Sequence, residues 1–210
     1  MAMTESPPGP ALEPLPGLKL WPGRLDTAAQ AALRDAVFAA LDAAPAYRPI
    51  TPGGRLLSVR MSNLGPLGWV TDRAGGYRYQ PTHPETGRPW PPIPPVLLEL
   101  WARHADPDRP PDACLVNLYD AGALMGLHQD RDEADLTAPV LSVSLGDTAL
   151  FRFGPAQGGP TRSLRLASGD VLLLSGPARL CRHAIDRLLP GSSQLLPGGG
   201  RLNLTLRRAG

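Results

Sequence analysis

The second half of the chain consists of short apolar runs separated by turn residues. Strand-like runs lie at 113–119, 139–145, 149–153, 163–166, 171–174, 180–184 and 201–207. Turn signals rich in Gly, Asp and Pro separate these runs at 120–122, 146–147, 158–160, 168–170 and 197–200. Short strands at this spacing are typical of a β-sandwich or jelly roll. The pattern therefore predicts a β core in this half.

The first half mixes helical and loop patterns. Leu33, Val37 and Leu41 recur at helical spacing, after a stretch at 27–30 that resembles a capping box. This helix is predicted to end before Pro45, because a proline disfavours helical backbone in the residue before it. The other elements predicted before the core are a second helix at 94–104 and strands at 18–20 and 56–61.

The composition narrows the class of protein. With 210 residues, the chain is long enough for a sizeable core in one domain. Its formal net charge of +2 is too small to identify a polyanionic partner. We expect no signal peptide, no membrane association and a cytoplasmic location, because no apolar run has the length or flanks of such a segment. Cys114 and Cys181 lie in apolar runs and are expected to be buried thiols.

His128 and Asp130 are the central chemical signal. They end a predicted short strand, and extended backbone places residues two apart on one face. A third ligand would complete the two-histidine, one-carboxylate triad of non-haem Fe(II) oxygenases. His83 and His104 are expected at the surface, whereas His183 lies in a later predicted strand. The residues alone also allow structural histidines in a non-catalytic binding protein, or a hydrolytic zinc site.

The predicted strand at 201–207 alternates cleanly between leucines and polar residues. Its polar face carries Arg201, Asn203, Thr205 and Arg207. A solvent-exposed sheet face would explain this alternation. Two arginines on one face could instead bind the two ends of a small dicarboxylate through charge-assisted hydrogen bonds. Asn117 shares a strand face with Tyr119 in the same way and could bind the same ligand.

Many stretches between residues 51 and 210 resemble the AlkB-type Fe(II)/2-oxoglutarate dioxygenases, which repair alkylated nucleic acids. The matching stretches are TPGG at 51–54, MSNLGPLGW at 61–69, GYRYQP at 76–81, RPWPPIPP at 88–95, PDACLVNLYDAGALMGLHQDRDEADLTAPVLSVSLG at 111–146, FRFG at 151–154, GDV at 169–171, RLCRHAI at 179–185 and RLNLTLRRAG at 201–210. The specific part is H-x-D, then a distant histidine, then R-x-N-x-x-x-R, in this order.

The resemblance implies a mainly β protein with flanking helices (α+β), built on a double-stranded β-helix or jelly roll. Three regions are then expected. Residues 1–16, which are rich in proline, are expected to be a disordered lead-in. Residues 17–110 would contain the helices and a nucleotide-recognition lid, and residues 111–210 the dioxygenase core.

Residue by residue, the resemblance implies that His128, Asp130 and His183 bind Fe(II) and form the catalytic centre. The cosubstrates would be 2-oxoglutarate and O2. Arg201 would pair with the distal carboxylate of 2-oxoglutarate, and Arg207 with its C1 carboxylate. The predicted 2-oxoglutarate-binding residues are Asn117, Leu118, Tyr119, Arg201, Asn203, Thr205 and Arg207.

The resemblance also implies a substrate site. Its predicted residues are Trp69, Tyr77, Arg78, Tyr79 and Asp132. On residues alone, the aromatic side chains could instead fill gaps between proline turns. The chain departs from the family pattern at 157–159, where a basic residue is replaced by Gln-Gly-Gly, and the nearby Arg162 is not aligned with it. It also carries one extra residue between Trp69 and Tyr77.

The predicted reaction is oxidative demethylation of N-alkylated bases such as 1-methyladenine and 3-methylcytosine, with release of formaldehyde and succinate. The expected partner is alkylated single- or double-stranded DNA, with RNA as a further substrate, and the expected state is a monomer. One alternative is an iron oxygenase of a protein or small-molecule substrate. Another is a non-catalytic nucleic-acid-binding β-sandwich.

Overall fold

Two facing β-sheets form the centre of the computed structural model, which describes residues 11–210. In chain order the elements are β1 Leu12–Leu15, β2 Leu18–Trp21, α1 Thr27–Ala43, β3 Arg60–Leu64, β4 Gly68–Asp72, β5 Gly76–Gln80, α2 Pro95–His104, β6 Ala113–Tyr119, β7 Met125–His128, β8 Val140–Gly146, β9 Thr148–Gly154, β10 Arg162–Leu166, β11 Val171–Leu174, β12 Arg182–Leu189 and β13 Arg201–Arg207, with a 3-10 turn at Gly176–Ala178. The mainly β architecture with two flanking helices confirms the predicted fold class.

The larger sheet has the order β1-β2-β11-β8-β13-β6-β3, and the smaller one β10-β9-β12-β7. Strands distant in sequence are neighbours, and the paired strands within these two sheets run antiparallel in residues 11–210. The strand β13 lies between β8 and β6, so the polar face of β13 is at the middle of the sheet. A third, two-stranded sheet pairs β4 with β5.

The predicted elements correspond closely to the observed strands and helices. β6, β11 and β13 have the predicted bounds, and the other core strands are displaced by a few residues. The strand predicted at 56–61 is instead β3, Arg60–Leu64. The helix α1 begins after Asp26, whose carboxylate accepts a hydrogen bond from the Ala29 amide, so the expected capping box at 27–30 is wrong.

The prediction that residues 1–16 are disordered is wrong for residues 12–15. Residues 1–10 lie outside the described part of the chain. Leu12–Leu15 forms β1, which pairs with β2 at the edge of the larger sheet. A proline-rich composition predicted disorder here, but an edge strand accepts prolines where backbone amides are not needed for pairing.

Two apolar clusters hold the layers together. The helices α1 and α2 pack on the outer face of the larger sheet, where Leu202, Leu204 and Leu206 of β13 are fully buried. Burial of one leucine side chain stabilises a fold by about 1.5–3 kcal/mol. A second cluster lies between the sheets and includes Phe151, Phe153 and Leu172 among others. The polar face of β13 therefore points between the two sheets.

Cys114 and Cys181 are free and buried, as predicted. Burial raises the pKa of both thiols to about 12. Within residues 11–210, no helix combines the length and apolar character needed to cross a lipid bilayer.

Candidate metal centre and cosubstrate cavity

His128, Asp130 and His183 converge between the sheets. His128 ends β7 and pairs in register with His183 of β12, so two residues far apart in sequence become neighbours. One possible ligand atom from each of the three side chains lies within 4.8 Å of the other two. The Nε2 atoms of His128 and His183 lie 3.7 and 4.0 Å from Asp130 Oδ1. The triad predicted from H-x-D and a distant histidine is therefore assembled by strand pairing.

The surroundings of both imidazoles prepare them as metal ligands. His128 Nδ1 lies 2.8 Å from the Gly126 carbonyl, and His183 Nδ1 lies 3.1 Å from the Cys181 carbonyl. A ring whose Nδ1–H donates to a carbonyl presents Nε2 as its free lone pair. Burial lowers the pKa of His183 to about 4, so this ring is neutral near pH 7. A neutral imidazole is the form that binds a metal ion.

Asp130 is buried but ionised. Burial opposes its charge, but Arg207 and the two histidines outweigh this and hold the pKa of Asp130 well below its ordinary value. Arg207 Nη2 donates to Asp130 Oδ2 over 2.8 Å, which leaves Oδ1 facing the imidazoles. Two nitrogens and one carboxylate oxygen form the donor set of a non-haem Fe(II) site with open coordination positions. The residues present therefore fit Fe(II).

A cavity of about 440 Å³ opens beside the triad. Its wall includes five of the predicted cosubstrate residues: Asn117, Tyr119, Asn203, Thr205 and Arg207. The Oδ1 atom of Asn117 is buried without a hydrogen-bond partner. An unpartnered polar atom beside a cavity indicates a place for a polar ligand.

Arg201 is a buried cation behind this cavity, with only 1% of its surface exposed. Its guanidinium donates to Ser144 Oγ, over 2.7 Å, and to the Leu166 carbonyl. Among residues 11–210 it forms no salt bridge with a carboxylate, and Asp170 stabilises its charge only from a longer distance. Its Nε is buried without a partner. Burial lowers the pKa of Arg201 to about 10. A buried cation that forms no salt bridge fits the binding of a carboxylate ligand.

Two of the seven predicted cosubstrate residues do not line the cavity: Arg201, which lies behind it, and Leu118. Leu118 lies on the opposite face of β6 and packs against the cluster under the helices. Alternation along β6 places the side chains of Asn117 and Tyr119 on the face toward the cavity and that of Leu118 on the other face. The Leu118 side chain therefore makes no contact with the cavity, and a cosubstrate role for this residue stays a prediction.

The β4–β5 hairpin, here called the lid hairpin, brings three aromatic residues to the cavity mouth. Trp69, Tyr77 and Tyr79 line it, as does Asp132. The rings of Trp69 and Tyr77 are stacked, with centroids 5.7 Å apart and an interplanar angle of 22°. Trp69 Nε1 donates to Asp132 Oδ2 over 2.8 Å. The aromatic residues therefore gather at one opening instead of filling separate gaps.

Arg78 is the predicted substrate residue that lies away from the cavity. Its guanidinium donates to Asp72 Oδ2 over 2.7 Å and to the Gly76 carbonyl, within its own hairpin. Strand alternation places Arg78 opposite to Tyr77 and Tyr79. Arg162 is not a cavity residue either, since its Nη2 donates to the Pro14 carbonyl.

His83 and His104 were expected at the surface. His83 is instead buried, with 1% of its surface exposed, and its Nε2 lies 2.7 Å from the Pro45 carbonyl. His104 is partly buried and accepts a hydrogen bond from Arg24 Nε. Neither belongs to the triad, but the surface placement was wrong because both rings pack against aromatic neighbours, Tyr47 and Trp21 respectively.

Glu133 and Arg179 were not predicted as site residues. Arg179 Nη2 donates to Glu133 Oε2 over 3.0 Å, and both side chains are almost fully buried. Each lies inside a stretch that resembles the family, but a charged residue beside a turn ordinarily indicates a solvated surface. The available signal was the density of charges in Asp130–Glu133 next to apolar strands.

Comparison with known proteins identifies the family. The family model described as "2OG-Fe(II) oxygenase superfamily" matches residues 17–207. The alpha-ketoglutarate-dependent dioxygenase AlkB homolog of Caulobacter vibrioides is 63% identical over 196 residues, covering 93% of this chain and 89% of that protein. The alpha-ketoglutarate-dependent dioxygenase AlkB of Escherichia coli is 46% identical over 171 residues, covering 79% and 78%.

A solved structure agrees with these relatives. The structure of OsALKBH1 superposes with a TM-score of 0.81 at 31% identity, covering 95% of this chain and 100% of that one. Family, fold and donor set agree on Fe(II) as the metal and 2-oxoglutarate as the cosubstrate. The chain therefore belongs to the AlkB-type dioxygenases of the Fe(II)/2-oxoglutarate oxygenase superfamily.

Proposed function

We propose that this enzyme removes N-methyl groups from the Watson–Crick edge of alkylated bases, such as 1-methyladenine and 3-methylcytosine, in DNA and RNA. The overall reaction consumes the N-methyl base, 2-oxoglutarate and O2. It yields the unmodified base, formaldehyde, succinate and CO2. The observation that carries this proposal is the pairing of stacked aromatic rings with the Asp132 carboxylate at the mouth of the iron cavity.

Two arginines would bind the two carboxylates of the cosubstrate. Arg201 would bind the distal carboxylate, because it is a buried cation that forms no salt bridge in the described chain. Arg207, already paired with Asp130, would orient the C1 carboxylate beside the metal. When bound, iron with 2-oxoglutarate and O2 supplies the oxidising power for hydroxylation of the methyl carbon. The hydroxymethyl group then leaves as formaldehyde, and its nitrogen regains a lone pair.

The lid hairpin suits a flipped base. A methyl group on the Watson–Crick edge weakens base pairing and lowers the cost of extruding the base from the stack. Trp69 and Tyr77 offer flat faces on which the base can stack. These lesions are cationic at neutral pH, so the Asp132 carboxylate would favour them over unmodified bases, which are neutral.

The test is reconstitution under anaerobic conditions with Fe(II), 2-oxoglutarate and a single-stranded oligonucleotide carrying 1-methyladenine or 3-methylcytosine, followed by O2. Lesion mass and formaldehyde are measured together, and His128→Ala is the control. We expect loss of one methylene mass and an equal amount of formaldehyde, both absent in the variant. Succinate without demethylation would favour a protein or small-molecule substrate. Absence of both iron binding and succinate would refute the enzyme function itself.

A further inference from the structure

The metal-binding carboxylate belongs to a buried cluster of four charged side chains. This ion-pair cluster consists of Asp130, Glu133, Arg179 and Arg207, whose side chains are 9%, 2%, 3% and 8% exposed. It contains two acids and two bases, so its formal charge is zero. Removing one partner from such a cluster leaves an uncompensated buried charge.

Both arginines hold Asp130, and Glu133 contacts both arginines. Arg179 Nη1 donates to the Asp130 carbonyl over 2.7 Å, and Arg207 Nη2 to Asp130 Oδ2 over 2.8 Å. Arg179 Nη2 donates to Glu133 Oε2, over 3.0 Å, while Arg207 Nε lies 3.1 Å from Glu133 Oε1. The second contact is an ion pair without hydrogen-bond alignment, because Arg207 Nε has no hydrogen-bond partner. Glu133 Oε1 therefore needs another group to fix its position.

Tyr79 of the lid hairpin supplies that group. Its hydroxyl donates to Glu133 Oε1 over 2.6 Å. On the other strand of the lid hairpin, Trp69 donates a comparable hydrogen bond to Asp132. The hydrogen bond from Tyr79 connects the lid hairpin to Asp130, because Glu133 contacts both arginines that bind Asp130.

We propose that Glu133 is a positioning residue that links the lid hairpin to the metal centre. Tyr79 fixes the Glu133 carboxylate, Glu133 orients the Arg179 and Arg207 guanidiniums, and these direct Asp130 Oδ1 toward the metal. Glu133 does not serve as the base-contacting acid, because Tyr79 and the two arginines occupy its carboxylate oxygens. Asp132, which is more exposed, is left for the base. The inference rests on the proposed function only for what the lid binds.

The experiment titrates the apo-protein with Co(II), whose visible absorption reports both affinity and coordination geometry. The variants are Glu133→Gln, Tyr79→Phe and the double variant, with Tyr77→Phe as the matched control. Tyr77 lies on the same strand but 51% of its surface is exposed. We expect Glu133→Gln to weaken Co(II) binding about 10- to 100-fold, the usual effect of losing a group that orients metal ligands. Tyr79→Phe should weaken it at least about threefold and change the spectrum, while Tyr77→Phe should do neither.

The double variant shows whether Tyr79 affects the metal site through Glu133 or independently of it. If Tyr79 acts through Glu133, its substitution adds little once Glu133 is changed, so the effects on Co(II) affinity are non-additive. Additive effects, or a Tyr79→Phe variant with the affinity and spectrum of Tyr77→Phe, would overturn the inference. Should Glu133→Gln fail to fold, the two tyrosine variants decide alone. The titration requires no nucleic acid, so its failure is distinct from a failure of demethylation.

Discussion

Arg201→Met tests whether the buried Arg201 side chain binds the cosubstrate 2-oxoglutarate. Arg201 is buried, forms no salt bridge in the described chain, and has its pKa lowered by burial from 12.5 to about 10. That fall corresponds to a net cost of about 3 kcal/mol for keeping the side chain charged, after partial compensation by Tyr119 and Asp170. Binding of a carboxylate would recover this cost. Since 1.4 kcal/mol is a factor of ten, the variant should bind 2-oxoglutarate about 100-fold more weakly.

The same substitution should have little effect on the unliganded fold. Methionine loses four hydrogen bonds, which costs about 2–4 kcal/mol. Their acceptors are Ser144 Oγ, Asn203 Oδ1 and the carbonyls of Asp147 and Leu166. Removal of the unpaired charge gives back a similar amount, so we expect the free energy of unfolding to change by less than about 1 kcal/mol.

The assay is thermal and urea unfolding of the Co(II) protein, with and without 2-oxoglutarate. Wild type should gain stability with 2-oxoglutarate concentration, and Arg201→Met should gain almost none. Arg187→Met, a change at an exposed arginine on β12, serves as control and should behave as wild type. Affinity within threefold of wild type in Arg201→Met would refute the assignment. So would a loss of more than about 3 kcal/mol in the unliganded protein, which would make Arg201 a structural residue.

Further predictions concern pH, the core and the substrate. Burial lowers the pKa of His183 from 6.5 to about 4, so the metal-free protein should lose up to about 3 kcal/mol of stability as pH falls from 6.5 to 4, because the unfolded chain binds this proton first. Urea unfolding at several pH values should show a smaller loss in His183→Gln, and an equal loss would contradict the cause. Leu204→Ala, at a fully buried position, should cost about 2–5 kcal/mol in urea unfolding, whereas Leu56→Ala, at an exposed one, should cost less than about 0.5. Asp132→Asn should raise the KM for a 1-methyladenine oligonucleotide about fivefold in formaldehyde assays and leave the KM for 2-oxoglutarate unchanged; equal KM values for the oligonucleotide would exclude a charge contact.

The sequence was most informative about which side chains share one face of a strand. In β13 the leucines and the polar residues separate by period two, and the structure buries both faces, one under helices and one in the cavity. The resemblance also named Leu118 and Arg78, whose side chains point away from the cavity although their neighbours line it. The resemblance assigns roles to positions in the sequence. The alternation of side chains along each strand determines which of those side chains can reach the ligand.

The sequence alone could not predict the long-range strand pairing or the burial of charged residues. The register that brings His128 beside His183 depends on the packing of β7 and β12, which no local pattern encodes. The burial of Glu133 and Arg179 depends on their mutual ion pair and on the rest of the cluster around it, whereas composition alone assigns charged residues to the surface. The burial of His83 was also not predicted, because it depends on a hydrogen-bond partner distant in sequence, the Pro45 carbonyl.

The central position of β13 has a consequence for the order of folding. β13 is synthesised after every strand that it joins, yet it separates β8 from β6 in the larger sheet. Until residues 201–207 emerge, the two halves of that sheet present open edges toward each other, the kind of edge that promotes aggregation. Pairings of such long sequence separation also form slowly. Because Arg201 and Arg207 lie on this strand, the cosubstrate site can form only in the last step, and a nascent chain cannot be catalytically active before its sheet closes.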